Sequence, residues 1–266
     1  MILLLDIGNT HTHLGLADGG HVTRQTNIPT AGWQDGRGER FLKRFLGNSA
    51  KRTISGTALC CVVPRVVPRV RRIIAKVSGL HSFELTSKTA RGVGINYPSP
   101  ATIGADRLAN AIAVKERYGA PAVVVDFGTA VTFDVVDRAG DYVGGIIAPG
   151  LAVMTEYMHE KTALLPRIKI REVRRVVGKS TEQAMLSGAV HGYRGLVREL
   201  LLELKQELNA KKLPVVATGS YAELIAAKLP EITAVEPLLT LEGLLLAFEN
   251  QRADKRRPRQ IKKMAG

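Results

Sequence analysis

The sequence predicts an α/β protein built from two domains of one type. An apolar run ends twice in Asp-x-Gly and a polar residue. Ile2 to Leu5 leads into Asp6-Ile7-Gly8-Asn9-Thr10, and 120 positions later Ala122 to Val125 leads into Asp126-Phe127-Gly128-Thr129-Ala130. Each copy continues into a second strand-like run and a turn, Leu14-Gly15-Leu16 into Ala17 to Gly20 and Val131 to Val136 into Asp137 to Gly140. In both halves a meander then gives way to alternating strands and helices.

The elements follow in order. Gly32 to Gly47 is glycine-rich and charged, with a short helix around Arg40 to Leu46. Thr53 to Val63 reads as a strand that Pro64 ends, and Val66 to Val77 has helical spacing. His81 to Leu85 is a short strand, and Val93 to Thr102 is a loop punctuated by Gly94, Pro98 and Pro100. Gly104-Ala105-Asp106-Arg107 opens a helix that runs to Tyr118 with its apolar residues at helical period. The second half starts its strand at Pro121. Gly144 to Gly150 is a strand ending in a tight turn, and Leu151 to Lys161 a helix. Ser180 to Leu208 reads as one long helix capped by Ser180-Thr181-Glu182. Val215 to Ser220 is a strand and turn, Tyr221 to Lys228 a helix, and Leu238 to Glu249 the last helix. The expected domains are 1–118 and 119–250, followed by a basic, disordered tail over 251–266.

Composition narrows the function classes. Hydrophobic content of 45% and charged content of 23% describe a globular chain. The apolar start meets Asp6 at once and no run is long enough to span a bilayer, so the expected place is the cytoplasm, with no membrane partner. Cys60 and Cys61 are adjacent and point to opposite faces of a strand, which argues against a mutual disulfide. The net charge of +14 favours anionic ligands. Much of it sits in the tail, where seven basic residues from Arg252 to Lys263 face Asp254 alone. Aromatics do not interleave with these charges, so nucleic acid is not an expected partner, although the tail leaves it open.

The repeated turns carry the chemistry. A Gly after the Asp, as at Gly8 and Gly128, lets backbone N–H groups approach phosphate oxygens without a Cβ in the way. Asn9, Thr10, Thr12, Thr129 and Thr132 offer side-chain donors to such oxygens. Asp6 and Asp126 repel phosphate directly and suit a cation that offsets its charge. Two such turns facing one another across a cleft suit a nucleoside triphosphate with its cation. His11 and His13 flank the first turn on one face of a strand, with Thr12 on the other. No Cys or carboxylate stands at metal spacing from them, so they read as packing or phosphate neighbours.

Taken together, the motifs resemble type III pantothenate kinase, a family of the superfamily that also holds acetate kinase, sugar kinases, heat-shock ATPases and actin. The resemblance spans Met1 to Phe248. It rests on Asp6 to Thr10, Gly104 to Arg107, Asp126 to Ala130, Gly144 to Ile146 and Pro149-Gly150. Thr162 to Pro166, Gly178 to Thr181, Ser187-Gly188 and Ala217 to Gly219 complete it, in that order and spacing. It implies duplicated ribonuclease-H-like, actin-like ATPase domains with a cleft between them. It implies ATP-dependent phosphorylation of pantothenate to 4'-phosphopantothenate, the first step towards coenzyme A. It also implies Mg²⁺, a monovalent cation (K⁺ or NH₄⁺), and a homodimer with sites at the interface. By the same resemblance Asp106 is the general base for the pantothenate hydroxyl. Tyr97, Gly104, Ala105, Arg107 and Thr181 contact pantothenate, Thr181 from the partner subunit. Asp126 holds the monovalent cation, Thr129 contacts ATP, and Asp6 lies near the divalent cation.

Two positions depart from the family pattern. Thr218-Gly219-Ser220 stands where Thr-Gly-Gly is common, so a Cβ is expected in the adenosine turn. Val131 stands where Thr is frequent, with Thr132 next to it. Two other readings use the same residues: a kinase or phosphatase for another small molecule on this fold, and a non-catalytic accessory protein of transcription. The three carboxylates Asp6, Asp106 and Asp126 argue for an enzyme.

Overall fold

The computed structural model describes residues 1–47 and 53–256. These form two compact units, one of Met1–Glu116 with the described residues from Leu238 on, the other Arg117–Pro237.

The first unit starts with the meander β1 (Ile2–Ile7), β2 (His11–Asp18) and β3 (His21–Pro29). Helices α1 (Gly32–Asp35) and α2 (Arg37–Leu46) follow, then β4 (Gly56–Cys61), α3 (Val67–Ser78), β5 (Phe83–Glu84), β6 (Gly94–Ile95) and α4 (Ala105–Tyr118). The sheet runs β3-β2-β1-β4-β5. Its meander pairs are antiparallel, while β4 is parallel to β1 and to β5. Strand β1 is buried on both faces, which is why Ile2 to Leu5 is continuously apolar rather than alternating. Leu3, Leu5 and Ile7 pack with Leu14, Leu16, Trp33, Leu42, Val70 and Ile74. The other face takes the last helix, α9 (Leu239–Arg256), whose Phe248 ring fills the space that a Cβ at Gly56 would need. Helix α9 crosses α4 so closely that a Cβ at Gly243 would stand 1.9 Å from the Ala109 carbonyl oxygen.

The second unit repeats the plan. Strands β7 (Ala122–Phe127), β8 (Ala130–Val136) and β9 (Asp141–Pro149) form its meander. Helices α5 (Leu151–Lys161), α6 (Thr181–Ser187) and α7 (Tyr193–Glu207) come next, then β10 (Val215–Thr218), α8 (Ala222–Ala226) and β11 (Ala234–Val235). The strand order is again β9-β8-β7-β10-β11, with β10 parallel to β7 and to β11. Val123, Val125, Phe127, Val131 and Phe133 form its core with Tyr193, Val197 and Leu201 of α7. The duplication reaches into detail. The second strand of each meander carries a register shift against the third, between Leu16 and Ala17 and between Val135 and Val136. These positions are equivalent when Asp6 opposite His13 is matched to Asp126 opposite Thr132. Each unit is thus the ribonuclease-H-like domain that the sequence resemblance implies.

The expected long helix from Ser180 to Leu208 forms over Thr181 to Glu207, with a π-helical segment, Gly188–Gly192, that inserts an extra residue into one turn. Two other expectations need correction. The expected tail starts too early: 251–256 continue α9, where the Arg252 guanidinium lies over the Phe248 ring and Arg91 pairs with Asp254. The rest of that tail, 257–266, lies outside the described residues. Helix α9 falls by its contacts in the first unit, although it follows the second in sequence. Among the described residues no helix is long and apolar enough to cross a membrane.

Candidate active site

The first turn is held from beneath by a hydrogen-bond chain. Trp33 Nε1 donates to Thr12 Oγ1 at 2.9 Å, Thr12 and Thr30 hydroxyls meet at 3.0 Å, and Thr30 Oγ1 donates to the Gly8 carbonyl at 2.7 Å. A hydroxyl has one proton. That of Thr30 goes to Gly8, so Thr12 must donate to Thr30. The Thr30 N–H also reaches the Thr10 carbonyl at 3.0 Å, and Gly8 N–H closes the turn on the His11 carbonyl at 3.0 Å. Thr12 is therefore no phosphate donor: it is fully buried and its proton is used inside the unit. Its strand parity, opposite to His11 and His13, puts it on the core side. Asn9, Thr10 and His11 are exposed on the turn. Thr30 and Trp33, which organise this turn, carry no motif. A Thr two residues before a Gly-Trp pair has no signature until the fold brings it under Gly8.

At the end of β1 two carboxylates share a small volume. Asp6 lies next to Cys60 of β4, whose thiol donates to Asp6 Oδ1 at 3.4 Å. Burial first, and then the charge of nearby Asp106, push the Asp6 carboxyl up to about 7, while the thiol contact opposes the rise. Asp106 stands in the first turn of α4, one residue after the start, so it is not the capping residue. Its Oδ1 accepts the Arg107 N–H at 2.8 Å. Burial raises its pKa too, against the opposing Arg107 N–H bond and guanidinium charge. Gly104 is required here, because a Cβ would sit 2.5 Å from Asp106 Oδ1. Burial also holds the Cys60 thiol far above its ordinary range, so the thiol is a neutral donor to Asp6.

His13 faces Asp6 across the β1–β2 pair and contacts Asn27 Oδ1 through Nδ1 at 2.8 Å. Burial lowers its pKa, which keeps the ring neutral near pH 7. It can position a ligand but brings it no positive charge.

The second turn is one residue shorter than the first. Three residues separate Phe127 from Val131, whereas four separate Ile7 from Thr12. Counting from the Asp would match Thr132 to Thr12. The register instead puts Thr132 opposite Asp126, on the same sheet face, where His13 stands in the first unit. Val131 takes the core-facing place of Thr12, and is buried. The departure at Val131 thus falls on the apolar side. Thr132 is half-buried, with Oγ1 3.5 Å from Asp134 Oδ2. Thr129 is exposed at the tip, and Gly150 N–H bonds its carbonyl at 3.1 Å. Gly219, at φ +91°, lies against Asp126: a Cβ there would come within 2.6 Å of Asp126 Oδ1. The Gly that the turn demands is this one, and it is present. Ser220 is exposed and is not among the positive-φ residues, so its Cβ costs the backbone nothing.

The remaining expected residues sit as follows. Tyr97 is half-buried in the loop before α4. Thr181 is the exposed first residue of α6, behind the cap Ser180, whose Oγ accepts the Gln183 N–H at 3.2 Å. Further along this helix Met185 and Ala189 are buried within the second unit, and Ala184 and Gly188 are exposed. Among the described residues there is no group of three or more His, Cys, Asp or Glu side chains placed to hold a metal.

Comparison with known proteins places the chain among relatives. A family model described as Type III pantothenate kinase matches residues 2–203. A protein of Methylacidiphilum infernorum named Type III pantothenate kinase is 42% identical over 250 residues, covering 93% of this chain and 88% of that protein. One of the same name from Akkermansia muciniphila is 46% identical over 246 residues, covering 92% of this chain and 97% of its own. Among solved structures, a Campylobacter jejuni protein described under the Baf family of transcriptional activators superposes with a TM-score of 0.59. It is 17% identical and covers 94% of this chain and 99% of its own, a likeness of fold.

Proposed function

The chain belongs to the type III pantothenate kinase family, and we propose that it transfers the γ-phosphoryl group of ATP to the pantothenate hydroxyl, giving 4'-phosphopantothenate, the first step of coenzyme A biosynthesis. The observation that carries the reading is the carboxylate pair Asp6 and Asp106, set at a strand end beside a glycine-lined turn. The alternatives, a kinase for another small alcohol and a non-catalytic accessory of transcription, are not favoured. The close relatives are named pantothenate kinases, and a binding module has no use for two carboxylates whose ionisation is penalised by burial.

Phosphoryl transfer requires an aligned alcohol, a clamped triphosphate and a proton acceptor. Asp106 accepts the proton of the pantothenate hydroxyl. Burial raises its basicity, and the Arg107 N–H on Oδ1 fixes its orientation and leaves Oδ2 for the alcohol. Tyr97, Gly104, Ala105 and Arg107 form the pantothenate contacts, with Thr181 supplied by the partner subunit of a homodimer. Exposed Val153, Tyr157 and Met158 on α5, with Leu164, Val176 and Val177, give the dimer reading an apolar surface to bury. Gly8, Asn9, Thr10 and His11 of the first turn, with His13 behind it, and Gly128, Thr129 and Thr132 of the second contact the triphosphate.

The residues fit the two cations that the family implies. Asp6 resists ionisation beside Asp106, as expected of a carboxylate whose counter-charge arrives with the substrate. Mg²⁺ keeps waters and phosphate oxygens as ligands, so a single carboxylate such as Asp6 beside the triphosphate would serve it. Asp126 offers a hard oxygen in a cradle that a Cβ at Gly219 would fill, which suits K⁺ or NH₄⁺. When bound, these ions offset the negative charge of the triphosphate.

The test is a coupled ADP-release assay of the full chain with MgATP and pantothenate, in K⁺, NH₄⁺ and Na⁺ buffers. ADP release that needs pantothenate, and that rises when K⁺ replaces Na⁺, is the expected result. ADP release indifferent to pantothenate overturns the substrate assignment, and equal rates in Na⁺ and K⁺ overturn that of Asp126.

A further inference from the structure

The second unit holds a cavity of about 490 Å³ that none of the residues assigned above lines. Around it stand Arg174, His191, Arg194, Arg198 and Lys228, with Glu172 the acidic member. Glu172 is already spent. Its two oxygens take Arg194 Nη1 at 3.1 Å and Nη2 at 2.7 Å. Arg194, buried to 4% exposure, completes its bonds on the Leu224 and Ile225 carbonyls at the end of α8. This pair is a fixed wall of the cavity, and Arg194 takes most of the Glu172 charge, with Lys228 sharing its field.

The other cations are only partly compensated. The side chains of Arg174 and Lys228 make neither a salt bridge nor a hydrogen bond among the described residues, although Lys228 feels the charge of Glu172. Arg198 meets Glu231 through Nε at 3.2 Å, which leaves the far side of its guanidinium to the cavity. His191 also lines the cavity, with its Nε2 sealed from it and without a partner among the described residues. Several like charges around one cavity repel, and an anion with several acceptor oxygens relieves that repulsion.

We propose that this cavity binds a phosphate group, carried by a small phosphomonoester or present as inorganic phosphate. A phosphate offers enough oxygens to engage Arg174, Arg198 and Lys228 together. The volume exceeds what the phosphate alone fills and lies in the range of small-molecule sites, with room for an organic body.

Isothermal titration of the full chain, in chloride buffer with MgADP in excess to fill nucleotide-phosphate contacts elsewhere, tests this. The probes are glycerol 3-phosphate and, separately, inorganic phosphate. In the double variant Arg174→Ala, Lys228→Ala the affinity of the parent's probe should fall by about tenfold or more, the worth of one or two charge-assisted hydrogen bonds. Arg174→Lys with Lys228→Arg should retain most of it. Both positions are exposed or ion-pair-free, and pantothenate phosphorylation by the double variant should be unchanged, which shows that it is folded. Tighter binding of glycerol 3-phosphate identifies an ester as the occupant, and equal binding identifies inorganic phosphate. Absence of binding to the parent, or equal affinity in parent and double variant, overturns the site.

Discussion

Asp6 and Asp106 are the residues on which stability and function pull apart. Burial and the charge of Asp106 push the Asp6 carboxyl up to about 7 in the folded chain, from an ordinary 3.8. Between those values the folded state binds the extra proton. The contribution of Asp6 to stability therefore declines as pH rises from about 4 to about 7, and its ionisation cost stands in full above that. Asp6→Asn should raise the melting temperature of cation-free protein at pH 8 and change it little at pH 4, while activity is lost. Thermal unfolding at both pH values checks this, and a variant less stable than the parent at pH 8 contradicts it. Asp106→Asn keeps size and loses the proton acceptor. Turnover should fall by about 10²–10⁴-fold, the usual worth of general-base catalysis, with pantothenate binding changed much less. Steady-state rates alongside direct binding separate the two effects, and near-normal turnover removes Asp106 from its role. Their proximity is not readable from spacing, because Asp6 and Asp106 are 100 positions apart in the chain. The motif marks each carboxylate, and only the fold buries both and puts Asp6 in the field of Asp106.

At the level of elements, the β1–β2 turn depends on residues outside it. Thr30, just after β3, holds the Gly8 carbonyl and orders Thr12 below it. Thr30→Val keeps the shape and removes the hydroxyl, which strands the Thr12 proton and the Gly8 carbonyl in the core. The loss of stability should be about 1–3 kcal/mol, and the KM for ATP should rise more than kcat falls, because the turn loosens while Asp106 stays in place. Denaturant unfolding and steady-state kinetics measure both. A variant that is destabilised with an unchanged KM shows that the chain serves the core alone. Element types were legible from periodicity: β1, β7, α4 and α5 fall where the apolar runs and their caps put them. The π-helical segment was not, because Gly188 to Gly192 is as compatible with α-helical spacing as with one extra residue. The end of α9 was obscured by charge, since Arg252 and Asp254 look like a solvated tail until Phe248 and Arg91 are seen beside them.

For the whole molecule, the dimer reading makes a prediction that no single subunit can satisfy. An Asp106→Asn chain lacks the base, and a Thr181→Ala chain lacks the contact lent to its partner. Each should be nearly inactive alone. Mixed and allowed to exchange subunits, they should regain part of the parent activity, because one of the two sites in a mixed dimer then holds both residues intact. Light scattering that gives a monomer, or no recovery after verified exchange, confines the site to one subunit.

The sequence by itself determined the duplication, the α/β class, the glycine-bearing turns and the carboxylates, since each is written in local pattern: an apolar run, an Asp, a Gly without a Cβ. The tertiary structure decided which hydroxyls remain available and which are consumed. Thr12 and Thr132 stand at the same distance from their aspartates in sequence, yet a turn shorter by one residue puts the first in the core and the second beside Asp126. A strand alternates its side chains between faces, so one residue of turn length reverses which face a side chain serves, and that length shows only when the partner strand is paired. The structure likewise assigned α9 to the first unit and showed Gly219, rather than residue 220, to be the glycine its turn requires. These depend on contacts between residues far apart in the chain, and no local pattern encodes them.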